Sequence, residues 1–252
     1  MSAAFFKQDC GFTAAARAAR SRFRPVAIVM FAVLLLETAP VFAQFESNRN
    51  GVHSPLNQRT PPGVAGYWAG TLGKAGPGML QPIRIILPTT GQVTVYGSPT
   101  SRPIVSPAPA NVEVAVGYVY RMKISDMPEF PRVVLYPSVE VIDRLHPPAG
   151  KAAQFPIPIT ITAEEIQFVL NGRFITKVVY LEQPQLASPA ESPLPTLTVP
   201  ATSNTLLEAD RRGRPMLIVR IGGRQPSGNR QTAFFGRGGP LRALPSGKAK
   251  KN

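Results

Sequence analysis

The stretch VEVAVGYVYRMKIS at residues 112–125 decides the fold class. Apolar residues occupy every second position from Val112 to Ile124, and most of the positions between them are polar or small. Because alternate side chains of a β-strand point to opposite faces, one face of this segment is predicted to lie against a core and the other toward water. The segment exceeds the usual strand length of about 5 to 6 residues, so we predict a bend or bulge near Gly117.

Short apolar runs bounded by Gly and Pro recur on both sides of this stretch. They cover residues 67–72, 83–87, 93–96, 133–136, 139–145, 174–181 and 216–221. Runs of this size and spacing are typical of an all-β sandwich or barrel. The 28 prolines argue against a helical bundle, since proline interrupts helices. We therefore predict an all-β, sandwich-like domain over residues 66–184.

One short helix is predicted inside this domain. Thr162 and Glu165 have the spacing of a capping box, and Gly172 supplies a left-handed stop. The predicted buried positions of the helix are Ile166, Val169 and Leu170. Because the apolar run at 174–181 follows directly, we expect a helix that crosses the sandwich and leads into a strand.

The chain beyond residue 184 changes composition three times. Residues 185–203 are rich in proline and are predicted to form an extended linker. Residues 204–224 are predicted to hold a short helix and an edge strand that returns to the sandwich. Residues 225–252 contain Gly, Arg and Lys with little to bury, and are predicted to be a disordered basic tail.

Residues 1–43 have the pattern of a secretory signal peptide. A basic flank precedes the apolar run Val26–Leu36, and small residues lead to a cleavage point after Ala43. The apolar run is shorter than the roughly 20 residues that span a bilayer, so no transmembrane segment is expected after cleavage. Residues 44–65 are polar and are predicted to form a flexible lead. We therefore expect an exported protein, located in the periplasm, the outer envelope or the extracellular space.

The composition of the exported part excludes several kinds of chemistry. The single cysteine, Cys10, lies in the leader, so neither disulfides nor cysteine-held metals are expected after cleavage. Only His53 and His146 are available as histidines, which argues against zinc sites and against catalysis by paired imidazoles. None of the common nucleophile or nucleotide-binding motifs is present. We predict no cofactor, no metal and no catalytic residue, and we favour a protein that is not an enzyme.

Basic residues are the strongest functional signal. After residue 43 the chain has 23 Lys and Arg against 12 Asp and Glu, and the last 42 residues hold eleven of the bases and none of the acids. Arginine clusters bind phosphate, sulfate or carboxylate groups, and the segment around Phe234 and Phe235 adds aromatic residues. The candidate polyanion-binding residues are Arg211, Arg212, Arg214, Arg220, Arg224, Arg230 and Arg237.

Three hypotheses remain open from the sequence. The first is a structural or interaction protein of the envelope, held to lipopolysaccharide, polysaccharide or a protein partner by the basic tail. The second is a hydrolase of wall or polysaccharide substrate, which needs two of Asp126, Glu140 and Asp143 to meet in a cleft. The third is a nucleic-acid binder, which export disfavours.

Several stretches resemble an uncharacterised group of exported proteins from planctomycete bacteria. They are residues 117–124, 136–148 and 174–182, together with 209–215 and the apolar run after it, so that the resemblance covers roughly 112–224. The resemblance implies a secreted or envelope protein of a Gram-negative-type cell. It implies no activity, cofactor or catalytic residue.

Overall fold

The computed structural model describes residues 3–10 as backbone, and residues 56–74, 76, 78–99, 101–183, 196–226, 234–235 and 238–244 in full. The strands are β1 (Ala3–Cys10), β2 (Leu80–Ile86), β3 (Gln92–Tyr96), β4 (Ile104–Pro107), β5 (Ala110–Ala115), β6 (Val119–Ser125), β7 (Ser138–Val141), β8 (Ile157–Thr160), β9 (Phe174–Glu182), β10 (Thr196–Val199), β11 (Gly213–Ile221) and β12 (Leu241–Ala243). The α-helices in these residues are α1 (Val64–Thr71), α2 (Ala163–Leu170) and α3 (Thr205–Arg212).

The strands form two packed sheets. The larger has the order β10-β1-β9-β11-β7-β6-β3-β4, and the smaller has the order β12-β5-β2-β8. Neighbouring strands are antiparallel except for β1 with β10 and β2 with β8. An apolar cluster contributed by both sheets fills the space between them. The predicted all-β, sandwich-like fold is thereby confirmed.

Residues 112–125 supply a strand to each sheet. β5 belongs to the smaller sheet and β6 to the larger, and the chain crosses between them at Gly117, whose φ is 91°. The predicted bend is present, and at the bend the chain passes from the smaller sheet to the larger one. Alternation also holds on both sides of the crossing, because Val114 and Tyr120 are fully buried. Tyr118 is the exception: it lies in the crossing, outside either strand, and its side chain is 45% exposed.

Helix α2 crosses the sandwich as predicted. It follows β8 of the smaller sheet and leads through Gly172, with φ 77°, into β9 of the larger sheet. The capping box is present, since Thr162 Oγ1 accepts from the Glu165 amide and Glu165 Oε2 accepts from the Thr162 amide. Ile166 and Val169 are buried, whereas Leu170 is 45% exposed and the prediction of its burial is wrong. Leu170 is the last residue of the helix, and its side chain lies outside the buried face formed by Ile166 and Val169.

Helix α1 occupies residues for which a strand is predicted at 67–72. Its buried residues, Ala65, Gly66 and Ala69, are small and lie on one face, which lets the helix approach the larger sheet closely. A β-carbon on Gly66 would lie 2.5 Å from the Gly117 carbonyl oxygen. The aromatic pair after Gly66 resembles strand composition, but the small residues at helical spacing determine the packing.

The described end of the predicted flexible lead also packs on the fold. Leu56 is buried, and its carbonyl accepts from Asn204 Nδ2 at 2.8 Å. Gln58 Oε1 accepts from the Thr205 amide at the start of α3. Residues 44–55 lie outside the described residues.

Strand β11 is not the edge strand that the sequence predicts. It lies between β9 and β7 in the larger sheet and pairs antiparallel with both. Eight of its nine residues are buried, because the smaller sheet covers one face and α1 and α3 cover the other. A run this apolar is typical of a strand buried on both faces.

The predicted linker and tail each contribute a strand that the sequence does not predict. β10 lies within 185–203 and pairs with β1, and β12 lies within 225–252 and pairs with β5. Most of the remaining linker and tail, residues 184–195, 227–233, 236–237 and 245–252, lies outside the described residues. β1 falls within the predicted signal peptide and lies between β9 and β10 in the full chain.

Candidate functional site

The seven arginines predicted to bind polyanions occupy different environments. Arg211 and Arg212 are exposed on α3, where Arg211 pairs with Glu208 at 3.0 Å. Arg214 lies 3.7 Å from Asp143 and donates to the Arg144 carbonyl. Arg224 is exposed beyond β11. Two of the seven, Arg230 and Arg237, belong to the tail and lie outside the described residues.

Arg220 belongs to the core. Its side chain is 5% exposed, and its Nη1 donates to Glu140 Oε2 at 2.8 Å while Nη2 donates to the Thr60 carbonyl. Glu140 is fully buried and its Oε1 accepts from the amides of Gly63 and Gly66. Arg220 therefore fastens α1 and the segment before it to the larger sheet, and it presents no cation to an external polyanion.

The three carboxylates named for a hydrolase do not share a cleft. Both oxygens of Glu140 are occupied inside the core. Asp143 is buried and pairs with Lys74 at 3.1 Å, and Asp126 is exposed, where its Oδ2 accepts from Ser125. No group of three or more His, Cys, Asp or Glu in the described part of the chain is placed to hold a metal ion. His146 is exposed in the loop after β7.

Aromatic side chains from the sheet and the tail form one cluster. The rings of Tyr96 and Phe235 stack with centroids 3.8 Å apart. Tyr136 meets Phe234 edge-on at 5.7 Å and Phe235 at 6.0 Å, and the two phenylalanines contact each other at 4.9 Å. The cluster covers the end of the β3–β6 pair, because Tyr96 is the last residue of β3. Burial, with the nearby Tyr136, raises the pKa of the Tyr96 hydroxyl.

Two arginines lie on this aromatic cluster. The guanidinium of Arg121, which is opposite Tyr96 in the β3–β6 register, lies 4.6 Å from the centroid of Phe234. The guanidinium of Arg224 lies 5.8 Å from the same centroid. Desolvation and, next, the charge of Arg224 lower the pKa of Arg121. Within the described residues no carboxylate forms a salt bridge with either arginine. We call Arg121, Arg224 and the four rings the arginine–aromatic cluster.

A second set of contacts holds the tail close to this cluster. The Tyr120 hydroxyl donates to the Pro240 carbonyl at 2.7 Å and accepts from the buried Ala115 amide at 2.8 Å. Gly239 lies against the ring of Tyr118, where a β-carbon would meet ring atoms at 2.5 Å. β12 then pairs with β5. The tail thus contacts the sandwich both before and after residues 236–237, which lie outside the described residues.

The arrangement is chemically suited to an anion. Two guanidiniums that repel each other, each backed by an aromatic face, gain from a phosphate, sulfate or carboxylate placed between them. Of the cluster, sequence reasoning singled out Arg224, Phe234 and Phe235 and missed Arg121. The alternation at 112–125 put Arg121 on the water-facing side, but only the β3–β6 register shows which aromatic residue stands opposite.

The described residues outside the core have a larger excess of bases over acids than all described residues from 56 onward taken together. Seventeen Lys and Arg lie in the described residues from 56 onward, and two of them, Lys177 and Arg220, are buried. Of the ten Asp and Glu in the same residues, four are buried, which leaves fifteen bases and six acids outside the core. The buried acids are Glu140, Asp143, Glu165 and Asp210.

Comparison with protein-family models, with curated proteins and with solved structures found no match to this chain. Among the residues that the structure describes, no helix has the length and apolar character that spanning a membrane requires.

Proposed function

We propose that the protein is exported and acts as a structural or interaction module of the cell envelope or extracellular space, held to an anionic surface component through its basic residues. The observation that carries the proposal is the arginine–aromatic cluster. It joins one arginine of the sandwich to one at the start of the tail, and neither has a carboxylate partner in the described residues. The resemblance of residues 112–224 to exported planctomycete proteins supports the same location.

The surplus of exposed bases supports an anionic partner. Fifteen bases outside the core against six acids give a positive field that attracts anionic lipopolysaccharide or polysaccharide and weakens as salt screens it. The cluster adds a local site to this field, because it brings two guanidiniums to one aromatic ring, and guanidinium donors form charge-assisted hydrogen bonds with phosphate or carboxylate groups. The described part of the tail adds one base, Arg242 of β12, which lies 3.4 Å from Glu113.

Binding can be tested with vesicles that contain lipopolysaccharide and with matched vesicles of zwitterionic lipid. We expect retention on the first that falls with rising salt, and no retention on the second. The double variant Arg121→Gln with Arg224→Gln should lose about tenfold in affinity, because it removes two charged donors from one site.

The chain offers a matched control for this experiment. Arg173 also lies 4.6 Å from a phenylalanine centroid, that of Phe168, but without a second arginine on the ring. Arg173→Gln should leave retention unchanged. An equal loss of affinity in the two variants would show that the cluster contributes only through net charge, and would overturn its proposed role. Tighter, more salt-sensitive binding to single-stranded nucleic acid than to lipopolysaccharide would favour the nucleic-acid hypothesis instead.

Export can be tested separately. The full chain, expressed with its own leader in a Gram-negative host, should yield a periplasmic product whose intact mass begins at Gln44. Cleavage would remove β1 and uncover the edge of β9, so amide exchange in residues 174–182 should be faster in the product than in the uncleaved chain. A cytosolic product that retains Met1 would overturn the proposed location.

A further inference from the structure

A cavity of about 350 Å³ lies where the edge strand β8 of the smaller sheet meets β9 and β11 of the larger sheet. Ile86 of β2 and Ile157 of β8 line it from the smaller sheet. Val179 of β9 and Met216 of β11 line it from the larger sheet.

The cavity opens to solvent at a rim of different chemistry. Phe155 lies there, 39% exposed, and Leu181 is half-buried beside it. Arg84 is exposed, and its Nε donates to Asn111 Oδ1 at 2.9 Å. This bond orients the guanidinium and leaves its two terminal NH2 groups for another acceptor. Among the residues that the structure describes, those that line the cavity include no Asp or Glu.

The apolar lining and the cation at the rim indicate which class of ligand the cavity can bind. A pocket of roughly 300 Å³ or more with apolar walls and few polar groups is of the size that binds a small organic ligand. Each methylene group moved from water into such a cavity contributes about 0.8 kcal/mol. The oriented cation at the rim favours a negative group at one end of that ligand, and the absence of lining carboxylates means that nothing opposes it.

We propose that this cavity binds a free fatty acid of medium chain length, with the acyl chain against the apolar lining and the carboxylate on Arg84. The site shares no residue with the arginine–aromatic cluster, so it gives the protein a second ligand, independent of the anionic surface. Buried apolar contacts supply the affinity, and the Arg84 fork supplies the preference for an acid over a neutral amphiphile.

Isothermal titration of the full chain with decanoate tests the site. We expect one decanoate to bind per chain with a negative heat-capacity change, the signature of buried apolar surface. Decanol, which has the same chain and no charge, should bind more weakly. Arg84→Gln should weaken decanoate about tenfold and leave decanol unchanged. Arg173→Gln is the control for the loss of one surface charge.

Leu181→Trp fills the cavity and should abolish binding of both ligands, whereas Leu170→Trp, on an exposed position of α2, should not. If Leu181→Trp fails to fold, Phe155→Ala replaces it: the ring is exposed enough to be removed safely, and its loss should weaken both ligands. No decanoate binding, an equal effect of Arg84→Gln on acid and alcohol, or full binding by folded Leu181→Trp would each overturn the proposal.

Discussion

Each face of the larger sheet buries one ion pair, and the two pairs are built differently. On the inner face, Lys177 of β9 contacts Glu165 of α2 at 2.9 Å. On the outer face, Arg220 of β11 contacts Glu140 of β7 at 2.8 Å. All four side chains are at most 5% exposed. A buried charge is stabilised only when its remaining donors and acceptors are also satisfied.

The two pairs differ in their further contacts, and in the outer pair the buried Nε of Arg220 has no hydrogen-bond partner among the described residues. Glu140 accepts hydrogen bonds from two backbone amides at the start of α1 as well as from Arg220. A substitution of Glu140, or the loss of its Arg220 partner, therefore affects α1 directly. Glu165 also accepts from the Thr162 amide, and Lys177 donates to the Thr160 carbonyl at 2.6 Å. The outer pair therefore joins three separate segments, which are β7, β11 and residues 60–66. The inner pair joins two, which are β9 and the continuous stretch 160–165, where a capping box already holds the start of α2. The outer pair should matter more for stability.

The largest effect is expected for Arg220→Met. The variant leaves the Glu140 carboxylate buried without a cation, which typically costs about 3–5 kcal/mol in the free energy of unfolding. Urea denaturation followed by circular dichroism measures it. Arg211→Met is the control, because the exposed Arg211–Glu208 pair should contribute no more than about 1 kcal/mol. Equal losses in the two variants would show that the outer pair has no special weight.

Alkaline pH should produce the next largest effect, because each face also buries a tyrosine. Burial raises the pKa of Tyr180, on the outer face, from 10.0 to about 12, and it also raises the pKa of Tyr120, on the inner face. The folded state thus keeps protons that the unfolded state loses. The contribution of these two tyrosines to stability is therefore constant below about pH 10 and falls as the pH rises from 10 through 12, by about 3 kcal/mol for Tyr180.

Thermal unfolding at a series of pH values checks this prediction. Tyr180→Phe should flatten the decline, whereas Tyr67→Phe, at a position 74% exposed on α1, should leave it unchanged. Tyr120→Phe should flatten it too, and should also accelerate amide exchange in β12, because the Pro240 carbonyl loses its donor. A decline that begins well below pH 10 would assign alkaline unfolding to other groups.

Disrupting the inner pair should lower the free energy of unfolding by a smaller amount, and a second substitution can test whether the unpaired charge is the cause. Lys177→Met should cost about 3 kcal/mol, the lower end for a buried charge that loses its partner, because the inner pair joins β9 to one continuous stretch, 160–165, whereas the outer pair joins three separate segments. Adding Glu165→Gln should restore most of the loss, since glutamine preserves the capping box without the buried charge. Chemical denaturation of the two single variants and the double variant measures the coupling. A double variant less stable than Lys177→Met would contradict this account.

Sequence patterns predicted the parts of the fold that depend on neighbours along the chain. Alternation at 112–125 predicts a long strand with a bend near Gly117 and most of its buried face, and the Thr162 and Glu165 spacing predicts the start of α2. The same patterns cannot predict what depends on long-range contact. A charged residue inside an apolar strand normally marks the solvent side, so the burial of Lys177 requires knowledge that α2 places Glu165 above it. β11 lies in the middle of the sheet because two helices cover its outer face, and one of them is unpredicted.

The candidate site follows the same division. Arg224 is predicted as a polyanion contact because basic composition is visible along the chain. Arg121 is missed, since its role depends on the β3–β6 register and on the return of Phe234 from the tail. Arg220 belongs to the same basic series in sequence but lies in the core, because Glu140 comes from a strand distant in the chain.

The smallest effect is expected where sequence and structure agree most closely. Thr162→Ala removes the acceptor for the Glu165 amide and should cost about 1 kcal/mol. Thr162→Ser keeps the acceptor and should cost less. In the Thr162→Ala variant the carboxylate of Glu165 keeps the backbone amide of residue 162 and Lys177 as donors, but the amide of Glu165 loses its acceptor. If the capping box and the inner ion pair both fix the position of Glu165, Lys177→Met should cost more in the Thr162→Ala background than in the parent. Equal costs in both backgrounds would mean that the capping box and the inner ion pair stabilise α2 independently.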